Sequence, residues 1–216
     1  MKNLILALLF ISSPAFASDL EVSIGLTQFK QSDNGTWYQN GLPHQLDMRS
    51  LSSSIGLTGW ISSSIRWRAG IQYLGHSSFS SLDVSDADFA KYGGVYRPQM
   101  WTHHGKGHTS QIYLTFDPQT KINGLTVFME LGAAVYETNF SDRITYLGCN
   151  TWSANVNHNP NLRLSAIIGG GLIFGRSSIA FTAENVGARG ANSGSGNIYP
   201  SIASGPLLNI SLRHTF

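Results

Sequence analysis

Charge is scarce in this chain. Only 12% of its 216 residues are Asp, Glu, Lys or Arg, about half the share found in ordinary globular domains. The signs nearly cancel, with 14 basic against 12 acidic residues, so nothing favours nucleic acid as a partner. Cysteine is scarcer still. Cys149 stands alone, which excludes an intramolecular disulfide. Long apolar runs are missing too: after residue 17 nothing approaches the roughly 20 apolar residues of a spanning helix. Mean hydropathy is −0.05. Low charge without helical spans leaves one other architecture that satisfies every backbone group in lipid, a closed β-barrel.

The first residues carry an export pattern. Met1-Lys2-Asn3 is followed by an apolar run from Leu4 to Ile11, then by Ser12-Ser13-Pro14-Ala15-Phe16-Ala17. A positive start, a short apolar stretch and small residues at Ala15 and Ala17 describe a cleaved secretory signal peptide over 1–17. The mature chain, 18–216, is then one domain.

What is abundant is alternation with a period of two. Leu20, Val22, Ile24 and Leu26 alternate with Glu21, Ser23, Gly25 and Thr27. The pattern recurs around Ser50–Leu57, Ile65–Tyr73, Gln111–Phe116, Leu125–Tyr136, Leu162–Phe174, Ile179–Glu184 and Leu208–Arg213. Eight such segments, of roughly the length a tilted spanning strand needs, predict an even-numbered barrel. Short turns are expected at Thr58–Trp60, Asp117–Gly124 and Gly175–Ser177, with long polar connections at 31–46, 76–108, 138–161 and 188–205. A long, short, long, short order fits an up-and-down barrel with long extracellular loops and both termini periplasmic. Segment 76–108 is long enough for an extra hairpin, which would give ten strands, although Asp83, Asp86 and Asp88 break any apolar alternation there.

The second face is rich in Gly and Ser with isolated charges, which suits a narrow lumen. Its parity turns Arg66, Arg68, Arg163 and Arg213 inward together with Glu21, Glu130 and Glu184. Buried charges are tolerated when paired, so a network is expected, with Gln72, Tyr113 and Tyr136 filling the remainder. Aromatics on the apolar face fall near strand ends, at Trp67, Tyr73, Phe116, Phe174 and Phe216, as interfacial girdles do.

The terminal residues Leu208-Asn209-Ile210-Ser211-Leu212-Arg213-His214-Thr215-Phe216 resemble the last strand of bacterial outer-membrane β-barrel proteins. That family ends in Phe with apolar residues at alternate positions before it; His214 departs from its commoner aromatic. The resemblance is to small eight-stranded barrels of the OmpA/OmpX type. It implies outer-membrane localisation, contact with lipid and lipopolysaccharide, and recognition of this strand by the barrel-assembly machinery. No cofactor is implied.

Three constellations invite chemistry. His76 and Ser78 form an H-x-S pair similar to that of the PagL-type lipid A deacylases, in which His activates a Ser nucleophile. Here the pair follows the third strand, and counting from Arg66 and Arg68 points it inward. His104 and His108 have ligand-like spacing, and Asp83, Asp86 and Asp88 form an acidic group. The connections also hold Trp37, Tyr38, Phe79, Phe89, Tyr92, Tyr96, Trp101, Tyr146, Trp152 and Tyr199 among small polar residues, as contact surfaces do. The leading expectation is a non-enzymatic barrel that displays loops. An acyl hydrolase acting on lipid A and a narrow channel stand as alternatives.

Overall fold

The computed structural model describes residues 18–28, 45–47, 49–85, 99–146, 152–158, 162–185 and 206–216. Among the described residues there are ten strands: β1 Ser18–Gln28, β2 Gln45–Asp47, β3 Arg49–Ser62, β4 Ile65–Ser85, β5 Gln99–Ile122, β6 Leu125–Tyr146, β7 Trp152–His158, β8 Leu162–Phe174, β9 Ser177–Glu184 and β10 Leu207–Thr215. Eight of them, all antiparallel to their neighbours, run β1-β3-β4-β5-β6-β8-β9-β10 around a ring. Pairing of Glu21 with Thr215 through Gln28 with Leu208 closes it. No sheet edge is left in the ring, as lipid requires.

The apolar face is outside. Leu164 is 79% exposed while Glu130 is 2% exposed. That inversion is what a bilayer demands and what water would penalise. The fold is therefore a transmembrane β-barrel.

Turn chemistry corrects the connections. β3 continues to Ser62, so the first turn is Ser63-Ser64, four residues beyond the glycine that marks it in the sequence. β5 likewise continues through Asp117 to Ile122 and turns at Asn123-Gly124, with φ of 51° and 84°. Asn-Gly supplies the two positive φ values of a two-residue hairpin whose twist matches its strands. Gly175, at φ 63°, opens the third turn.

The largest departure lies at the other end. β3 leaves β4 after the pair Ser53–Tyr73, yet β4 and β5 stay paired up to Ser85–Gln99. β8 leaves β6 at Glu137, where β7 takes over from Phe140 to Tyr146. With β2 along β4, this makes a blade, β2-β4-β5-β6-β7, standing beyond the ring. Much of 76–108 and 138–161 is thus ladder and not loop, and Asp83 lies in β4. The two extra strands belong to the blade, which leaves an eight-stranded barrel.

Candidate functional site

The parity of eight strands aims their polar positions at one axis, and charges meet there. Glu130 of β6 accepts from two arginines: Arg68 Nη1 on β4 at 2.7 Å and Arg213 Nη2 on β10 at 2.8 Å. Arg68 Nε also donates to Glu21 of β1 at 2.8 Å. Arg66 lies 3.6 Å from Glu21 and 3.4 Å from Asp117 of β5, and Arg68 Nε is 3.9 Å from Asp117. Three arginines and three carboxylates from five strands thus form one connected group, all buried.

Shape completes the arrangement. The Arg68 guanidinium lies 5.4 Å from the Tyr113 ring centre and that of Arg213 lies 5.9 Å from Phe128. Tyr113 fits because Gly56 and Gly70 face it without side chains; a Cβ on either would come within 2.9 Å of its Oη. Alongside this group, Gln111 Nε2 donates to Gln72 at 2.9 Å, and Asn209 Nδ2 donates to Thr27 at 2.8 Å and Ser52 at 2.6 Å. The cavity bounded by Arg68, Tyr113, Glu130, Glu184 and Arg213 measures only about 10 Å³, barely the room of one water.

Not every inward charge joins. Glu184 is buried at the end of β9, but no described cation pairs with it and its Oε2 has no protein partner. Arg163 shares the inward parity, yet it is half-buried opposite Tyr136 at the start of β8 and makes none of these ion pairs. Asp117 is the member that sequence reading missed. Its signal was available: Gln111, Tyr113, Thr115 and Asp117 share one parity.

The H-x-S reading is overturned in its geometry. Between Tyr73 and Gly75 the register of β4 against β5 shifts by one residue. Leu74 and Gly75 are both buried, and His76 emerges exposed on the outer face. The count that pointed His76 inward fails because a bulge exchanges the two faces. Its Nδ1 lies 2.9 Å from Ser50 Oγ, which also accepts from the His76 backbone N–H at 2.9 Å. The hydroxyl that meets this imidazole is therefore that of Ser50 on β3, not that of Ser78. It serves as a clamp across the bulge, where Gly75 takes φ 113° against it.

His104 and His108 are exposed on β5 with Lys106 between them on the same face. Four residues of strand separate them by about 13 Å, too far to share one ion. No cluster of three metal-ligating side chains exists among the described residues. Tyr73, Phe116, Phe174 and Phe216 are exposed on the apolar exterior, and Trp67, half-buried, pairs with Phe116. Leu208, Ile210 and Leu212 point outward on β10. The His214 ring packs edge-on to Phe216 at 4.8 Å and its Nδ1 lies 2.9 Å from Ser177 Oγ, while Phe216 N donates to Leu20 O at 2.9 Å. Residues 1–17, Trp37, Tyr38, Asp86, Asp88, Phe89, Tyr92, Tyr96, Cys149 and Tyr199 lie outside the described residues, as do the side chains of Phe79, Asp83, Trp101, Tyr146 and Trp152.

No protein-family model matches the chain, and no curated protein matches it. Solved structures do. Ail, the attachment invasion locus protein of Yersinia pestis, is 11% identical over 92% of this chain and 99% of that one, with a TM-score of 0.40. Neisserial surface protein A is 9% identical over 92% and 97%, with a TM-score of 0.36. A major outer membrane protein from Thermus thermophilus is 12% identical over 93% and 100%, with a TM-score of 0.45. The fold of the chain is a closed eight-stranded antiparallel β-barrel. The likeness is one of architecture alone.

Proposed function

We propose that this protein is a non-conducting barrel of the bacterial outer membrane, with periplasmic termini, that holds a β-sheet blade out from the surface for contact with an envelope or extracellular component. The single observation that carries this is the continuation of β4, β5 and β6 as paired strands after their barrel neighbours have left. From Gly75 to Ser85 the overhang of β4 is 11 residues, about 35 Å of strand. A ladder that long restrains its side chains far better than a free loop does, which suits recognition by a preorganised surface. Closure of the lumen rests on the Arg–Glu group and the small space beside it. A plug of paired side chains leaves no continuous polar path for ions.

Two measurements test the reading. The folded protein in a planar bilayer is expected to show no steady conductance. A variant with residues 77–107 replaced by an Asn-Gly turn is expected to keep heat-modifiable gel migration while cells displaying it lose adhesion to host-cell monolayers. Steady conductance, or equal adhesion with and without the blade, would refute it. The lipid A mass spectrum should be the same with and without expression, since no described carboxylate bonds His76 to complete a Ser50–His76 pair.

A further inference from the structure

The register shift that turns His76 outward also decides what it faces. Below the shift Tyr73 pairs with Ser110; above it Gly75 pairs with Thr109 and His76 with His108. Had β4 run on without the extra residue, Gly75 would have faced His108. With it, two imidazoles stand directly opposite each other on neighbouring strands, both exposed. Directly opposed residues of an antiparallel pair have Cβ atoms about 4.5–5.5 Å apart. Two imidazoles that share a metal ion, each bound at about 2.0–2.1 Å, hold their nitrogens about 3 Å apart. The first spacing accommodates the second, which the spacing of His104 and His108 along one strand does not.

The hydrogen bonds around His76 suit it to be a ligand. Its Nδ1 is engaged by Ser50 Oγ at 2.9 Å, so Nε2 is the nitrogen left for an ion. When Nδ1 carries the proton, Ser50 Oγ accepts from it and from the His76 backbone N–H at 2.9 Å, and gives its own proton to Leu51 O at 3.3 Å. Every group is then used, and Nε2 keeps its lone pair. Metal-bound histidines are held in this way, one ring nitrogen donating to a neighbour while the other binds. Ser50 is 7% exposed, so the anchor is fixed within the wall while the ring it holds reaches solvent. His108 is held more loosely. Its Nε2 lies 3.4 Å from Asn139 Nδ2, which also donates to Glu137 at 3.2 Å. A contact that long is weak, and an ion displaces it at little cost.

We propose that His76 Nε2 and the His108 imidazole together bind one divalent transition-metal ion of the class that prefers imidazole, Cu²⁺ or Zn²⁺, with water completing its coordination. The ion staples β4 to β5 at the first outward pair above the bulge, at the root of the blade. Ser50 is a positioning residue, acting through the His76 ring.

The test is titration of the untagged, folded protein in detergent micelles with Cu²⁺, read by calorimetry and by electron paramagnetic resonance. Wild type is expected to bind one Cu²⁺ whose hyperfine pattern shows two nitrogen ligands. Removing the anchor, Ser50→Ala, should weaken binding about tenfold, and removing a ligand, His76→Asn or His108→Asn, about thirtyfold or more. At saturation Ser50→Ala should still show two nitrogens, whereas each histidine variant shows one. His104→Asn, four residues along β5, should stay within about twofold of wild type. Mg²⁺ and Ca²⁺, which favour oxygen ligands, should not compete. Free Zn²⁺ at ten times its Kd suppresses local opening about elevenfold, so backbone amide exchange beside His76 and His108 should slow about tenfold in wild type and be unchanged in His76→Asn. A wild-type spectrum without two nitrogens, or binding that survives His76→Asn unaltered, overturns the proposal. So does loss of the site in His104→Asn, which assigns the ion to another histidine. The nitrogen count is read on wild type and holds whether or not a variant folds.

Discussion

Replacing Glu130 by Gln changes one oxygen and removes one charge. The carboxylate bridges Arg68 Nη1 at 2.7 Å and Arg213 Nη2 at 2.8 Å. Arg68 keeps Glu21 when that charge goes, but Arg213 has no other carboxylate in ion-pair reach among the described residues. Glu130 is 2% exposed and Arg213 5%, so solvent screening reduces the loss little. Breaking a buried pair from one side costs about 3–5 kcal/mol. Gln keeps an acceptor and nearly the same volume, so the low end applies, about 3 kcal/mol. Glu184→Gln, equally buried, breaks no ion pair and should cost less than about 1 kcal/mol. Urea titration in detergent micelles, followed by tryptophan fluorescence and gel migration, reads both. Adding Arg213→Gln to Glu130→Gln should show a coupling of about 2 kcal/mol. Equal losses for Glu130→Gln and Glu184→Gln would refute the pairing argument.

Two further substitutions probe how the lumen and a hairpin are shaped. A Cβ on Gly70 would sit 2.5 Å from Ile55 O and 2.7 Å from Gly56 Cα, so Gly70→Ala should destabilise by about 1–3 kcal/mol in the same titration. Gly124 has open space around its Cβ position but φ 84°; Gly124→Ala should therefore cost only the conformational term, about 1 kcal/mol.

Sequence reading reached the barrel because lipid makes one face uniformly apolar, and Leu20, Ile24, Ile55, Leu131 and Leu212 record that at every second position. It reached the polar lining for the same reason. It stopped where lipid stops. From Gly75 along β4 and from Thr138 along β6 the backbone stays paired, but neither face is required to be oily, and alternation disappears while the ladder persists. Asp117 was lost because the turn was drawn over the whole of Asp117–Gly124, whereas only Asn123-Gly124 at its end turns the chain. His76 was misdirected because a bulge leaves no mark in composition; Leu74 followed by Gly75 is its only trace.

The position of that bulge follows from the same constraint. Within the apolar belt a one-residue slip of β4 would carry Arg68 into lipid and Trp67 and Ile71 into the lumen, and an arginine at the bilayer midplane costs about 2–4 kcal/mol. The ion pairs add to this by joining β4 to β1, β5 and β6, and β6 to β10, across the lumen, so register is held from inside as well as outside. At Tyr73 both constraints lapse together. The ring of Tyr73 sits at the edge of the belt, the charged group lies several residues below, and the exchange of faces after Leu74 places imidazole in water and not leucine. A bulge two residues lower would turn Tyr73 inward and Leu74 outward, and one four residues lower would turn Ile71 inward and Gln72 into lipid. A register shift is tolerated on β4 at the height where the membrane no longer distinguishes its two faces, and there it redirects His76 onto the face that carries Lys106 and His108.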